Sequence, residues 1–225
     1  MSPKELTLSE LGPFGRVVVV APHPDDEVFA VGGLMASLAA AGYPLDVVAV
    51  TDGEASHAQS TRITPDQIRC VREQETLRAY QHLQISPRRI RLAIPDSGVA
   101  RHLQCLADRL LSPLLGASFV VAPIETDGHP DHDATSRAVS TAADALGIPC
   151  WQYAVWAWLN PERLPQTPAA TLPLNAEIAS RKRRAARSYT SQLNALGPDP
   201  VDGPVLPANF LEHFDAESEF LWQRN

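Results

Sequence analysis

Four consecutive valines, Val17 to Val20, and Ala21 lead through Pro22 into His23-Pro24-Asp25-Asp26-Glu27. A segment that is apolar at every position and mostly β-branched reads as a strand buried on both faces. That is the habit of parallel sheets covered by helices. Such sheets place their chemistry at the carboxyl ends of the strands. Here that end carries one imidazole and three carboxyl groups within five residues. Burying so much charge without compensation is very costly. Either the loop is fully solvated or a cation sits in it.

Strand and helix signals alternate along the rest of the chain. Strands are expected over residues 16–21, 45–51, 90–94, 118–122 and 151–158. Helices are expected over 31–41, ended by Gly42, and from Thr64-Pro65-Asp66 to Leu83, with proline at the first helical position. Three more are expected over 103–115, bent near Pro113, over 132–146, ended by Gly147, and over 177–196. The proline-rich stretch 160–173 and the Pro/Gly-rich stretch 197–207 read as loops, and 209–223 reads as a short helix. This alternation predicts an α/β fold, a three-layer sandwich with a Rossmann-like, mostly parallel sheet flanked by helices. The loops at 52–63, 125–131, 159–176 and 197–208 are the expected rim of a pocket.

A length of 225 residues suits one domain over 1–225. The net charge of −7 opposes a nucleic-acid partner, which needs a basic face. No stretch approaches the roughly 18 apolar residues of a membrane span, and the polar start Met1–Glu10 lacks the pattern of a secretory signal. A cytoplasmic protein with no integral membrane segment is the expectation. Cys70, Cys105 and Cys150 lie far apart, so neither a disulfide framework nor a thiolate metal site is expected.

A second cluster, Glu125-Thr126-Asp127-Gly128-His129-Pro130-Asp131-His132-Asp133, follows the predicted strand at 118–122. In a parallel sheet both clusters fall on one edge and can converge. Alone, His-Pro-Asp-Asp-Glu is readily a solvated turn; a second His/Asp cluster at another strand end favours a joint metal site. Catalytic zinc takes three protein ligands, often two histidines and a carboxylate, and keeps a position for water. His23, Asp26 and His132 would supply that set. Asp25 would then be free to take a proton from the water. His129 could donate to an oxyanion, and Asp131 could hold the other ring nitrogen of a histidine.

Pro22-His23-Pro24-Asp25-Asp26-Glu27 and His129-Pro130-Asp131-His132 resemble the two signature motifs of the PIG-L/LmbE-like metal-dependent deacetylases. Thr51-Asp52-Gly53-Glu54, Arg72-Glu73-Gln74-Glu75, Pro95-Asp96-Ser97-Gly98 and Lys182 with Ser191-Gln192 extend the resemblance over roughly residues 15–195. The resemblance implies that His23, Asp26 and His132 bind Zn²⁺, with Fe²⁺ as the other suitable ion. It further implies that Asp25 is the general base and later the acid. His129 would stabilise the oxyanion, as an imidazolium, with Asp131 tuning it, and Arg72 and Asp96 would contact sugar hydroxyls. The implied reaction is removal of the N-acetyl group from an N-acetylglucosamine-type sugar or conjugate, and the implied partners are that small molecule and, for a family that often forms trimers or hexamers, further copies in a homo-oligomer.

Other residues read more plainly. His57, His82, His102 and His213 are expected as surface or satisfied histidines, with a rim role open to His57. Trp156 and Trp158 would share one face of the 151–158 strand, as core, and Arg181–Arg184 would be a solvated helix face. No GxGxxG follows the first strand, and no GK[ST] or GxSxG segment occurs, so dinucleotide, P-loop and serine-hydrolase readings lose support. An amidase for a larger conjugate remains an alternative. A non-catalytic metal- or sugar-binding domain is another, although binding alone needs neither Asp25 nor His129.

Overall fold

The computed structural model describes residues 4–166 and 170–224. In chain order its elements are β1 (Lys4–Glu5), α1 (Leu8–Leu11), β2 (Val17–Ala21), α2 (Asp26–Ala40), β3 (Leu45–Ala49), α3 (Pro65–Leu83), β4 (Arg88–Arg91), α4 (Leu103–Leu114), β5 (Phe119–Pro123), α5 (Pro130–Leu146), β6 (Cys150–Tyr153), β7 (Ala170–Pro173), α6 (Ala176–Ala186), α7 (Thr190–Leu193) and β8 (Ser218–Gln223). Among the described residues the strands form one sheet in the order β1-β7-β8-β6-β5-β2-β3-β4. Pairing is parallel except where β8 runs antiparallel between β6 and β7. The expected α/β three-layer sandwich is therefore what forms.

The valine run explains the layers. Along β2, Val17 and Val19 enter a core with α2, α3 and α6, while Val18 and Val20 enter a second core with α4 and α5. Successive side chains point to opposite faces, so an all-apolar strand feeds both cores and must be central. From β2 the order runs one way through β3 and β4, and from β5 the other way through β6. The crevice between the carboxyl ends of β2 and β5 is thus the point where the strand order reverses, the usual place for a site in this architecture. Both His/Asp clusters begin there.

Several expected boundaries move. Helix α2 starts at Asp26, not near residue 31, so Asp26 and Glu27 occupy its first turn, where acids suit the helix dipole. The strand at 151–158 stops at Tyr153, and Trp156–Leu159 is a 3₁₀ helix. Trp156 and Trp158 therefore share no strand face. The helix expected over 177–196 ends at Ala186 and resumes as α7. The loop expected over 160–173 ends in β7, with residues 167–169 outside the described set, and the helix expected over 209–223 is a 3₁₀ helix, Phe210–Phe214, followed by β8. The six residues of β8 carry no helical signal and gain their identity from β6 and β7, the two strands that flank them.

Strand β8 also braces α2. That helix breaks at Val31 (φ −133°, ψ 22°), which frees backbone N–H groups inside it. Gly33 N and Leu34 N donate to the two carboxylate oxygens of Glu219 on β8, both at 2.7 Å, and Lys182 Nζ lies 2.7 Å from Oε1. A Cβ on Gly33 would sit 2.5 Å from Leu174 Cδ1 and 2.9 Å from that oxygen, so glycine is needed for the approach. Replacing Glu219 with alanine strands a buried lysine and two amides, and is expected to cost about 3–5 kcal/mol. Urea unfolding checks this; a loss under 1 kcal/mol, the range of surface pairs, would refute the brace.

Candidate metal and active site

Three donor atoms from two strand ends meet at the crevice. His23 Nδ1 lies 3.2 Å from His132 Nε2 and 3.3 Å from Asp26 Oδ2, and His132 Nε2 lies 3.1 Å from Asp26 Oδ2. Zinc bonds of 2.0–2.1 Å in a tetrahedron set ligand atoms about 3.3–3.4 Å apart. The trio therefore has the spacing of three corners around one small cation. His23, Asp96 and Asp131 also gather, as do His23, His129 and His132, each set within 4.8 Å. The first trio is the tightest and leaves His23 Nε2 to donate toward Asp96 Oδ1 (3.3 Å) and Asp131 Oδ2 (3.4 Å).

The surrounding carboxylates favour positive charge at this point. Burial disfavours a charged His132, yet Asp26 and Asp127 overcome it and push the ring up to about 9. Burial likewise opposes a charged His23, and Asp131, Asp26 and Asp96 together hold it well above the usual histidine range. Burial would raise Asp26, but the two histidines hold it far below the usual carboxylate range. A site that gathers protons in this way, with donors at coordination spacing, fits a divalent metal ion.

Each ligand has a support. Asp26 Oδ2 accepts from His23 N at 2.8 Å, fixing the turn between them. Asp127 Oδ2 lies 2.8 Å from His132 Nδ1, with both side chains fully buried. The Asp127 carboxylate also accepts from Val155 N, Trp156 N and Ala157 N. This carboxylate–histidine arrangement sets the ring's orientation. Sequence reasoning passed over Asp127, although it lies five residues before His132 in a quoted segment. Asp127→Asn is expected to weaken metal affinity about 10–100-fold, read by competition with a chromophoric chelator; unchanged affinity would remove Asp127 from the support of His132.

Asp25 caps α2 with φ +147°, a region that non-glycine residues rarely adopt. Its Oδ2 lies 2.8 Å from Arg72 Nη2. Burial raises this carboxyl to about 8 despite Arg72, with Asp26 adding to the rise. Arg72, expected on sugar hydroxyls, lines the cleft and donates to Pro24 O (2.8 Å), Gly53 O (3.2 Å) and Asp25. A Cβ on Gly53, whose φ is +68°, would fall 2.2 Å from the guanidinium, so glycine there admits Arg72. Glu27 accepts from the Tyr80 hydroxyl at 2.7 Å and from Asp25 N at 3.3 Å, bracing the same turn.

His129 is the N-cap of α5, its Nδ1 accepting from Asp131 N at 3.2 Å. That bond assigns the proton to Nε2. Burial lowers this ring to about 4, with charge on His23 and His132 adding to the fall. The protein groups thus favour a neutral Nε2–H donor over the expected imidazolium. The Asp131 carboxylate is directed to His23 and to the amides of Ser97 and Val99, not to the His129 ring. Asp96 Oδ2 accepts from Ala55 N (2.8 Å), while Glu54 Oε1 accepts from Asp96 N (2.9 Å), clasping the loops after β3 and β4. The cleft above the trio has a volume of about 90 Å³ and is lined from segments 52–63, 125–131 and 197–208, but by no described residue of 159–176. Among the described residues, no helix is long and apolar enough to cross a membrane.

Known proteins carry the same frame. The chain is 33% identical over 137 residues to a probable N-acetyl-alpha-D-glucosaminyl L-malate deacetylase 2 of Bacillus anthracis, covering 56% of this chain and 58% of that protein. It is 29% identical over 198 residues to the 1D-myo-inositol 2-acetamido-2-deoxy-alpha-D-glucopyranoside deacetylase of Nocardia farcinica, covering 76% of this chain and 64% of that protein. It thus spans about three fifths of the length of these curated relatives. The crystal structure of an antimicrobial reagent A40926 pseudoaglycone deacetylase shares the fold, with a TM-score of 0.72, 23% identity, and coverage of 92% of this chain and 96% of that one. The family profile described as PIG-L, GlcNAc-PI de-N-acetylase, matches residues 18–143. That span is more than half of the chain and contains every donor atom of the trio, so this chain belongs to the PIG-L family.

Proposed function

We propose that this chain is a metal-dependent N-deacetylase acting on an N-acetylglucosamine-type sugar or conjugate, with Zn²⁺ or Fe²⁺ at His23, Asp26 and His132. The observation that carries this reading is the trio spaced at 3.1–3.3 Å with the buried Asp25 carboxyl and the His129 imidazole lining the cleft beside it. The activities named for the two relatives support the substrate class. A bound divalent cation lowers the pKa of water and polarises a carbonyl. The protein groups do the rest. Asp25, held by Arg72, accepts the proton as water adds to the acyl carbon. His129 donates its Nε2–H to the developing oxyanion. Asp25 then returns the proton to the nitrogen, the C–N bond breaks, and amine and acetate leave. Arg72 is read here as the residue that positions Asp25, with Asp96 and Ser97 facing the sugar. A sheet running from β1 to β8 supports one domain for the whole chain.

Acetate release from a panel of N-acetylated sugars, with metal stripped and restored, tests the reading. Activity on at least one hexosamine is expected. No activity on any of them would sink the sugar assignment and leave the metal site standing.

A further inference from the structure

On its β6 side the cleft is lined by Val155, Trp156 and Phe210, and on its β3–β4 side by Ser56, Asp96 and Ser97. Trp156, which is half-buried, reaches both histidines of the His129-Pro130-Asp131-His132 segment by two different routes. Its backbone N–H donates to Asp127 Oδ2 at 3.1 Å, and the same oxygen lies 2.8 Å from His132 Nδ1. Its indole lies over the His129 ring, with 6.0 Å between centres and 29° between planes. That separation falls within the range at which aromatic rings attract one another.

The indole is itself held. Val155 N and Ala157 N, on either side of Trp156 in the chain, donate to Asp127 Oδ1 at 2.8 and 3.2 Å. Phe210, fully buried, packs on the indole at 5.6 Å and on Phe29 at 5.4 Å. Upstream of Phe210, Val205 N and Leu206 N both donate to Gln192 O at 3.0 Å, which ties that segment to α7.

The His129 ring has one hydrogen bond to the protein, the one its Nδ1 accepts from Asp131 N. A bond at one ring nitrogen fixes a point and leaves the ring able to tilt about it. The far nitrogen, Nε2, then moves most, and it is the atom that has to meet the oxyanion. A donor contributes to catalysis when it is already in place as charge develops. A flat surface against the face of the ring removes the tilt. We propose that Trp156 is the positioning residue for His129, its indole holding the ring so that Nε2 stays turned to the oxyanion. This rests on the part given to His129 in the deacetylase reading above.

The test uses the full metal-loaded chain, the N-acetylated hexosamine it turns over best, and acetate release as the readout. Trp156→Leu keeps apolar bulk and removes the flat ring. Its kcat is expected to fall about 10–100-fold, the scale of a misplaced catalytic group, with KM within about twofold. Trp156→Phe, which keeps a flat ring, is expected to recover most of that loss. Metal affinity by chelator competition is expected to stay unchanged, because the bond to Asp127 comes from the backbone. A double-mutant cycle separates positioning from general damage to the fold. In a His129→Ala background the indole has no ring to hold, so Trp156→Leu is expected to change kcat by less than about twofold. Trp156→Met takes its place in the cycle if the leucine chain does not fold. A loss in the His129→Ala background as large as in the unaltered chain would overturn the proposal. So would no recovery by phenylalanine, or a raised KM with kcat unchanged, which would make the indole a sugar platform. No acetate from the unaltered chain on any sugar would sink the deacetylase reading as well.

Discussion

Replacing Asp25 with asparagine is expected to lower kcat about 10²–10⁴-fold while the metal stays bound. Asparagine has nearly the same shape as aspartate, so the φ of +147° that caps α2 strains it no more than the native residue. It also keeps an oxygen to accept from Arg72 Nη2, now 2.8 Å from Asp25 Oδ2. What it lacks is a site for the proton taken from water. None of the three atoms at coordination spacing belongs to Asp25, so metal content should match the unaltered protein. Single-turnover rates on an N-acylated glucosamine, paired with a chelator competition, separate the two effects. Full activity would remove Asp25 from the role of base, and loss of metal would place it among the ligands.

Stripping the metal is expected to abolish turnover and also to lower the melting temperature. The second effect follows from binding linkage. An ion present at about 1,000 times its dissociation constant stabilises the folded state by about 4 kcal/mol. For a chain of this size that corresponds to a shift of about 8–16 °C. Without the ion, Asp26, Asp127 and Asp131, with the Asp96 side chain beside them, crowd two histidines in a buried space, and their mutual repulsion is relieved by protons. Differential scanning calorimetry before and after dialysis against a chelator, and after return of Zn²⁺ or Fe²⁺, reads this directly. Unchanged melting together with unchanged activity would refute the metal assignment. Unequal recovery with the two ions would identify the better cofactor.

Local sequence revealed the parts of this protein whose signals are local. The all-apolar β2 run announced a central parallel strand, and the two His/Asp segments announced chemistry at strand ends. Thr64-Pro65 announced the start of α3, where Thr64 Oγ1 caps Gln67 N in the structure. The signals failed where a partner distant in sequence decides. The β8 segment forms a strand because β6 and β7 flank it. Arg72 matches a segment that implies a substrate contact, and its bonds to Pro24, Asp25 and Gly53, up to 48 residues away, come from the fold alone. Asp127 read as one acid among several until its partner, His132, and the three amides after β6 were placed around it.

The fold class, the two strand ends that carry the site, and the residue types that can hold a metal are all legible along the chain. These follow from periodicity and from the high cost of burying charge, both of which act along the chain. Which carboxylates share each histidine, that His129 Nδ1 accepts from Asp131 N, and that α2 breaks over Glu219 emerge only from the folded chain. It also decided that the cleft is polar toward β3 and β4 and apolar toward β6. Those outcomes depend on contacts between segments up to 186 residues apart, and electrostatics and packing at 3–6 Å act on distance in space, whatever the separation along the chain.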